Sequence, residues 1–291
     1  MKQTYVDLHV HSTESDGTFT PEELVAAAKE AGLCAFALTD HDTTAGIAAA
    51  AAAAKEAGIT LVPGIELSTE YAIPSENEQT REIHVVGLFI DPDNPKLAAK
   101  TKEFRDCRDN RNEKMLEALR GRGFSITMEA LRAENPDSVI TRANIARFLF
   151  SHGQLTSVRE AFEKYIGDGC CCYVGRFKIS PMEAVHLIHE AGGIAILAHP
   201  MLYHMNPAQI QQLIDDMKTA GLDGIEALYS TYTPDDERLI KDLAVRNHLL
   251  ISGGSDFHGT TKPAIRLGVG KGNLRIPASV LDALTEKAGQ K

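Results

Sequence analysis

The chain has 291 residues, 43% of them apolar, and a formal net charge of −10. That length and apolar content suit one α/β barrel, or one domain carrying an inserted subdomain, and exceed most small single-core folds. The negative balance excludes passive binding to DNA through a basic face, while phosphates stay accessible to an acidic protein wherever metal ions supply the positive charge. No apolar run reaches the roughly 20 residues of a membrane span, so no membrane partner is expected. No leader-like segment precedes the first motif at Asp7. The five cysteines are an odd number, and the expectation is reduced thiols in a cytoplasmic protein. The run Cys170-Cys171-Cys172 does not match paired zinc spacing and finds no account in the sequence.

In chain order, a short apolar run (4–8, TYVDL) leads into DLHVHSTESDG at 7–17. Thr20-Pro21-Glu22-Glu23 then marks a helix start, with an N-cap threonine, a proline at the first helical position and a glutamate at N3. That helix is predicted to stop at Gly32. The same device recurs at Ser180-Pro181-Met182-Glu183, with a stop near Gly192-Gly193, and Asn206-Pro207 and Thr233-Pro234 open two more helices. Gly58 and Gly221 are predicted C-caps. Between the helices lie further short apolar runs at 34–39, 59–67, 82–90, 193–198, 223–229 and 249–254, each a candidate buried strand. Seven strands alternating mostly with helices predict an α/β fold with a largely parallel sheet. Residues 92–177 break this rhythm. They are helical and charged, with helices expected over Lys102 to Arg122, Arg142 to Phe150 and Val158 to Ile166, and they read as an inserted helical cap. The barrel domain is then 1–91 and 178–291.

The predicted strand ends carry the chemistry. His9, His11 and Asp16 follow the first strand, Thr39-Asp40-His41-Asp42 the second, and Glu66 ends the third. His199 follows the fifth and Asp256 and His258 the seventh. In a closed α/β barrel the C-terminal strand ends converge on one mouth, which favours the barrel over an open sheet. In extended chain, residues i and i+2 point to one side, so His9 with His11, and Asp256 with His258, can each face one ion. Imidazole and carboxylate donors together suit zinc, manganese or iron. Without metal, such a cluster would leave costly buried polar groups. His84 sits early in its apolar run, where the pattern alone does not bring it to the mouth. Of the other histidines, His204 lies close enough behind His199 to reach a substrate, whereas His152, His186, His189 and His248 read as surface or helix-end residues. Asp40 or Asp42 is expected to orient His41.

The ordered set DLHVHSTESDGTFTPEELVAAAKEAGL, ALTDHDT, PGIELS, HVVGL, AILAHP and GGSDFHG resembles the PHP family of metal-dependent phosphoesterases. The resemblance runs to about residue 91 and resumes from about 178 to 270. It implies a distorted (β/α)7 barrel with two or three divalent ions, manganese first, with zinc, iron or magnesium as the other choices. By resemblance, His9, His11, Glu66 and Asp256 would hold one ion. Glu66 would bridge to a second held by His84 and His199, and Asp16, His41 and His258 would hold a third. Asp16 stands where some family members have histidine. The segment TRANIARFL resembles the arginine-bearing stretch of a nucleotide-directed subgroup.

These readings imply hydrolysis of a phosphate monoester by metal-activated water, without a serine nucleophile, since no GxSxG or P-loop motif is present. Asp256 and His204 are the candidate catalytic residues, His204 toward the leaving group. Arg142, at a helix N-terminus that favours anions, heads the substrate-binding candidates, with Arg176, Lys178 and His204. The expected substrate is the 3′-phosphate of a nucleoside 3′,5′-bisphosphate, with short 5′-phosphorylated RNA as a further substrate. The alternatives are a cyclic-phosphate phosphodiesterase, a histidinol-phosphate phosphatase or another amidohydrolase-like hydrolase.

Overall fold

The structure, a computed structural model, describes residues 4–74, 80–135, 140–175 and 178–290. The barrel strands are β1 (Tyr5–Val10), β2 (Leu33–Leu38), β3 (Thr60–Ala72), β4 (Thr80–Leu88), β5 (Ile194–Leu197), β6 (Gly224–Tyr229), β7 (Leu250–Gly254) and β8 (Ile276–Pro277). Around them run α1 (Pro21–Glu30), α2 (Ile47–Ala57), α7 (Pro181–Glu190), α8 (Pro207–Thr219), α9 (Pro234–Asn247) and α10 (Ala278–Ala288). The inserted helices are α3 (Pro95–Arg120), α4 (Met128–Glu134), α5 (Arg142–Ser151) and α6 (Val158–Ala161), the last continuing as a π turn over Phe162–Ile166. The four Pro-headed helix starts read from sequence are present, each with a capping box, at Thr20, Ser180, Asn206 and Thr233. Helix α3 starts earlier than expected because Asn94 caps it, accepting from the N–H groups of Lys96 and Leu97.

Among the described residues the sheet has eight strands in the order β7-β6-β5-β4-β3-β2-β1-β8. The seven expected strands are all there, and the short β8 pairs antiparallel with β1. The distortion lies at β4, which is antiparallel to both β3 and β5, and among the described residues no helix separates β3 from β4. Closure is made by the chain beyond β7. The Asp256 N–H donates to the His9 carbonyl at 2.9 Å, and the His11 N–H to the Phe257 carbonyl at 3.0 Å. A side chain at Gly254 could not fit, since its Cβ would lie 2.2 Å from His9 Cβ.

Asp7 ties this seam. Its buried carboxylate accepts from the Ser255 N–H at 2.8 Å and the Gly268 N–H at 2.7 Å. Asp7→Ala strands those donors in the interior, at roughly 1–3 kcal/mol each. The expected result is a loss of about 3 kcal/mol in unfolding free energy, read from a lowered urea midpoint at unchanged slope. A loss under about 0.5 kcal/mol, the range of an ordinary surface change, would mean that Asp7 does not hold the seam.

Two buried apolar clusters fill the barrel region, one between sheet and helices and one inside the barrel. A third, built on Met115, Leu119, Ile145, Leu149 and Ile166, belongs to the inserted helices. Helix α3 joins them: Leu97 and Phe104 pack on the barrel, and Met115, Leu116 and Leu119 pack in the inserted cluster. Among the described residues, no helix is long and apolar enough to cross a membrane.

Candidate metal centre and substrate cavity

Strand β1 delivers His9 and turns directly after it. The SDG turn that follows needs glycine at position 17, because a Cβ there would lie 2.4 Å from the His11 carbonyl oxygen. Its N–H closes the turn onto the Ser12 carbonyl at 2.9 Å and brings Asp16 back over His11. Strand β3 runs on past Glu66 to Ala72, so this carboxylate projects from the middle of a strand. His84 faces Ser68 across the β3–β4 hairpin. Because β4 runs against its neighbours, its first half lies at the mouth, which explains why a histidine early in the run belongs there. His199 and Asp256 both take positive φ, 26° and 55°, conformations that cost a non-glycine residue on the order of 1–3 kcal/mol.

The fold gathers His9, His11, Asp16, His41, Glu66, His84, His199, Asp256 and His258 into one cluster. Donor atoms lie within 4.8 Å of one another in four overlapping groups: His11, Asp16, His41 and His258; His9, Glu66 and His199; His9, His11 and Asp256; His41, Glu66 and His84. Glu66 is the hub. Its Oε1 lies 2.9 Å from both His84 Nδ1 and His199 Nε2, and its Oε2 lies 3.1 Å from His41 Nδ1 and 3.2 Å from His9 Nε2 and His11 Nε2.

The donor set fits divalent cations. His9 Nε2, His11 Nε2, His41 Nδ1, His199 Nδ1 and Glu66 Oε2 are buried without a hydrogen-bond partner, a costly state for polar atoms that a shared cation relieves. The electrostatics agree. Burial alone would push the Glu66 carboxyl up, but His41, His9 and His84 outweigh it and hold it well below the usual range. Burial of Asp16 is likewise outweighed by His258 and His41, and that of Asp256 by Lys262 and His258. Burial would lower the imidazoles, yet Asp256 and Glu66 raise His11 to about 9, and Glu66 and Glu82 raise His84 to about 10. In His41 burial wins, and its pKa falls to about 3.

Several working residues carried no motif. Glu226, on β6, accepts from His9 Nδ1 at 3.0 Å and from the His199 N–H at 2.9 Å, so it sets which face His9 turns to Glu66. Asp256 Oδ2 accepts from Tyr229 at 2.5 Å and Lys262 at 2.6 Å, leaving Oδ1 toward His11 at 3.3 Å. Glu226 had a signal, a charge inside an apolar strand run. Tyr229 and Lys262 had none. Asp40 and Asp42 do other work than expected. Asp40 accepts from the Ser12 and Ser15 hydroxyls at 2.6 and 2.5 Å and so braces the turn behind His11, while Asp42 accepts from the Ser68 N–H and pairs with Arg108 of α3.

A cavity of about 190 Å³ opens over the cluster. Asp16, His41 and His84 line its barrel side, and Arg108, Arg111, Arg142 and Tyr173 its inserted side. Arg142 is held by Asp168 Oδ1 at 2.6 Å and lies 5.5 Å from the Tyr173 ring centre. Lys178, also in the lining, donates to Glu82 Oε2 at 2.6 Å. Arg176 falls outside the described residues. His204 is exposed and outside the cavity lining; the neighbouring Tyr203 is the buried one, with its hydroxyl donating to the Ala198 carbonyl at 2.6 Å. The structure does not bring His204 to the cluster.

Two known proteins and one solved structure resemble this chain over most of its length. A 3′,5′-nucleoside bisphosphate phosphatase of Chromobacterium violaceum is 39% identical, with 87% of each chain covered. A 5′-3′ exoribonuclease of Haemophilus influenzae is also 39% identical, covering 87% of this chain and 89% of that one. The solved structure of an amidohydrolase from Chromobacterium violaceum with bound sulfate and no metal has a TM-score of 0.81 at 37% identity, covering 91% of this chain and 90% of that one. The PHP domain pattern matches residues 7–220, which hold seven of the cluster's nine donors, His9 through His199. With that match and those relatives, the chain belongs to the PHP domain family.

Proposed function

We propose that this metal-dependent phosphoester hydrolase removes the 3′-phosphate from nucleoside 3′,5′-bisphosphates and also acts on short 5′-phosphorylated RNA, working in the cytoplasm with two or three divalent ions, manganese first. The observation that carries the reading is the cavity, with the histidine–carboxylate cluster on one wall and Arg108, Arg111, Arg142 and Lys178 on the others. One phosphate meets the cluster and the second meets the cationic wall. The relatives' names, one a bisphosphate phosphatase and one an exoribonuclease, support the same substrate class.

In this reading residues 1–91 and 178–291 form the catalytic barrel and 92–177 the cap that binds substrate. His9, His11, Asp16, His41, Glu66, His84, His199, Asp256 and His258 would hold the ions. When bound, those ions lower the pKa of a coordinated water and neutralise phosphoryl oxygens. Glu226 keeps His9 in one tautomer, Tyr229 and Lys262 hold Asp256 with a single oxygen facing inward, and Arg142 orients the remote phosphate. A panel of phosphoesters with added Mn²⁺ tests the proposal: adenosine 3′,5′-bisphosphate is expected to release phosphate much faster than AMP, histidinol phosphate or cyclic nucleotides. Faster turnover of a cyclic phosphate or of histidinol phosphate would replace it. Arg142→Ala is expected to raise KM for the bisphosphate about tenfold, equivalent to about 1.4 kcal/mol, and KM for a monophosphate far less. Equal effects on both would remove Arg142 as the remote-phosphate clamp.

A further inference from the structure

The geometry points to Glu82 as a positioning residue that fixes the tautomer of His84 and is itself held in place by Lys178. The inference builds on the metal-holding part of the reading above. Glu82 and His84 are two apart on β4, so their side chains share one side of the strand. The two ring nitrogens of His84 face different carboxylates: Nδ1 lies 2.9 Å from Glu66 Oε1, and Nε2 lies 3.2 Å from Glu82 Oε1. A neutral imidazole carries one proton. With Nε2–H donating to Glu82, the Nδ1 lone pair is turned to the cluster, the form that a cation needs.

Glu82 has its own anchor. Its Oε2 accepts from Lys178 Nζ at 2.6 Å, and Arg142 Nη2 stands 3.6 Å away. The Lys178 side chain is only 6% exposed and that of Glu82 27%, so this pair is partly shielded from water rather than a loose surface contact. Glu82, Lys178 and Arg142 all line the cavity. One carboxylate therefore connects a predicted metal ligand to the cations expected to meet the substrate, and no sequence motif marks it.

Two substitutions separate positioning from bulk structure. Glu82→Gln keeps an oxygen that accepts from His84 Nε2–H, whereas Glu82→Ala removes it. Each protein is freed of metal by chelation and dialysis and titrated with Mn²⁺ by calorimetry, without substrate. Circular dichroism and Tm of the metal-free forms serve as folding controls. For Glu82→Ala, the affinity of one Mn²⁺ site is expected to fall about 10–100-fold. Glu82→Gln is expected to recover most of that loss, and Lys178→Met to fall between the two. A Glu82→Ala protein that binds Mn²⁺ with wild-type affinity and stoichiometry would overturn the assignment, as would a Glu82→Gln protein as weak as Glu82→Ala. Because no nucleotide is used, wild type that shows this Mn²⁺ pattern but cleaves no bisphosphate would refute the substrate and leave Glu82 standing. Wild type that binds no Mn²⁺ would remove both.

Discussion

Glu66→Gln will abolish turnover and lower bound metal at more than one position together. The reason is the hub geometry: five imidazole nitrogens lie between 2.9 and 3.2 Å from its two oxygens. No other carboxylate of the cluster meets so many. Glutamine keeps the volume but removes the charge and puts an NH₂ where an anion is required. Metal assistance supplies several kcal/mol of transition-state stabilisation, so kcat/KM is expected to fall by about 10³-fold or more. Elemental analysis of the purified variant checks the second half of the prediction. Loss of activity with a full metal complement would show that Glu66 acts on the reaction and not on the ions. The fold should survive, because the surrounding apolar clusters do not depend on this group.

Chelation will lower thermal stability, and the drop will widen as pH rises from 6.5 toward 9. A ligand present at 1,000 times its Kd adds about 4 kcal/mol of stability. The pH dependence follows from the metal-free protein. Against burial, Asp256 and Glu66 raise His11 to about 9, and Glu66 and Glu82 raise His84 to about 10. A group whose folded pKa is raised contributes stability that is complete below its unfolded value near 6.5 and is lost as pH climbs through the folded value. The chelated protein therefore weakens from about pH 6.5 to 10. His41, lowered by burial to about 3, acts below pH 6.5 and leaves this window unchanged. Metal ligation requires unprotonated imidazole, so cation binding strengthens over the same interval and releases protons. Paired melting curves with and without chelator at pH 6.5, 7.5 and 8.5 read the gap. A gap that narrows with pH would mean that His11 and His84 are not displaced from their protons by the cation.

Much of the site was legible because its donors sit in local patterns. The HxH at the end of β1 and the DxH after β7 each bring two donors to the cluster from neighbouring positions, and strand–helix alternation puts the strand ends at one mouth. His84 shows the limit. Its position early in β4 reads as the wrong end of a strand, and becomes the right end only because β4 runs antiparallel to β3 and β5. Arg108 shows another limit. It lies on a charged helix among many similar residues, and its pairing with Asp42 spans 66 positions of chain. His204 erred in the other direction: closeness in sequence to His199 did not carry it into the cavity.

Periodicity and capping thus determined from the sequence alone the seven main strands, the four proline-headed helix starts, and that most of the metal-competent side chains sit near strand ends of an α/β barrel. Both are effects of residues a few positions apart, governed by backbone geometry. The direction of β4, the tautomer-setting carboxylates Glu226 and Glu82, and the cationic wall from the inserted helices were decided only by the tertiary structure. They are contacts between segments far apart in the chain, and no local spacing encodes which distant charge will be buried against which.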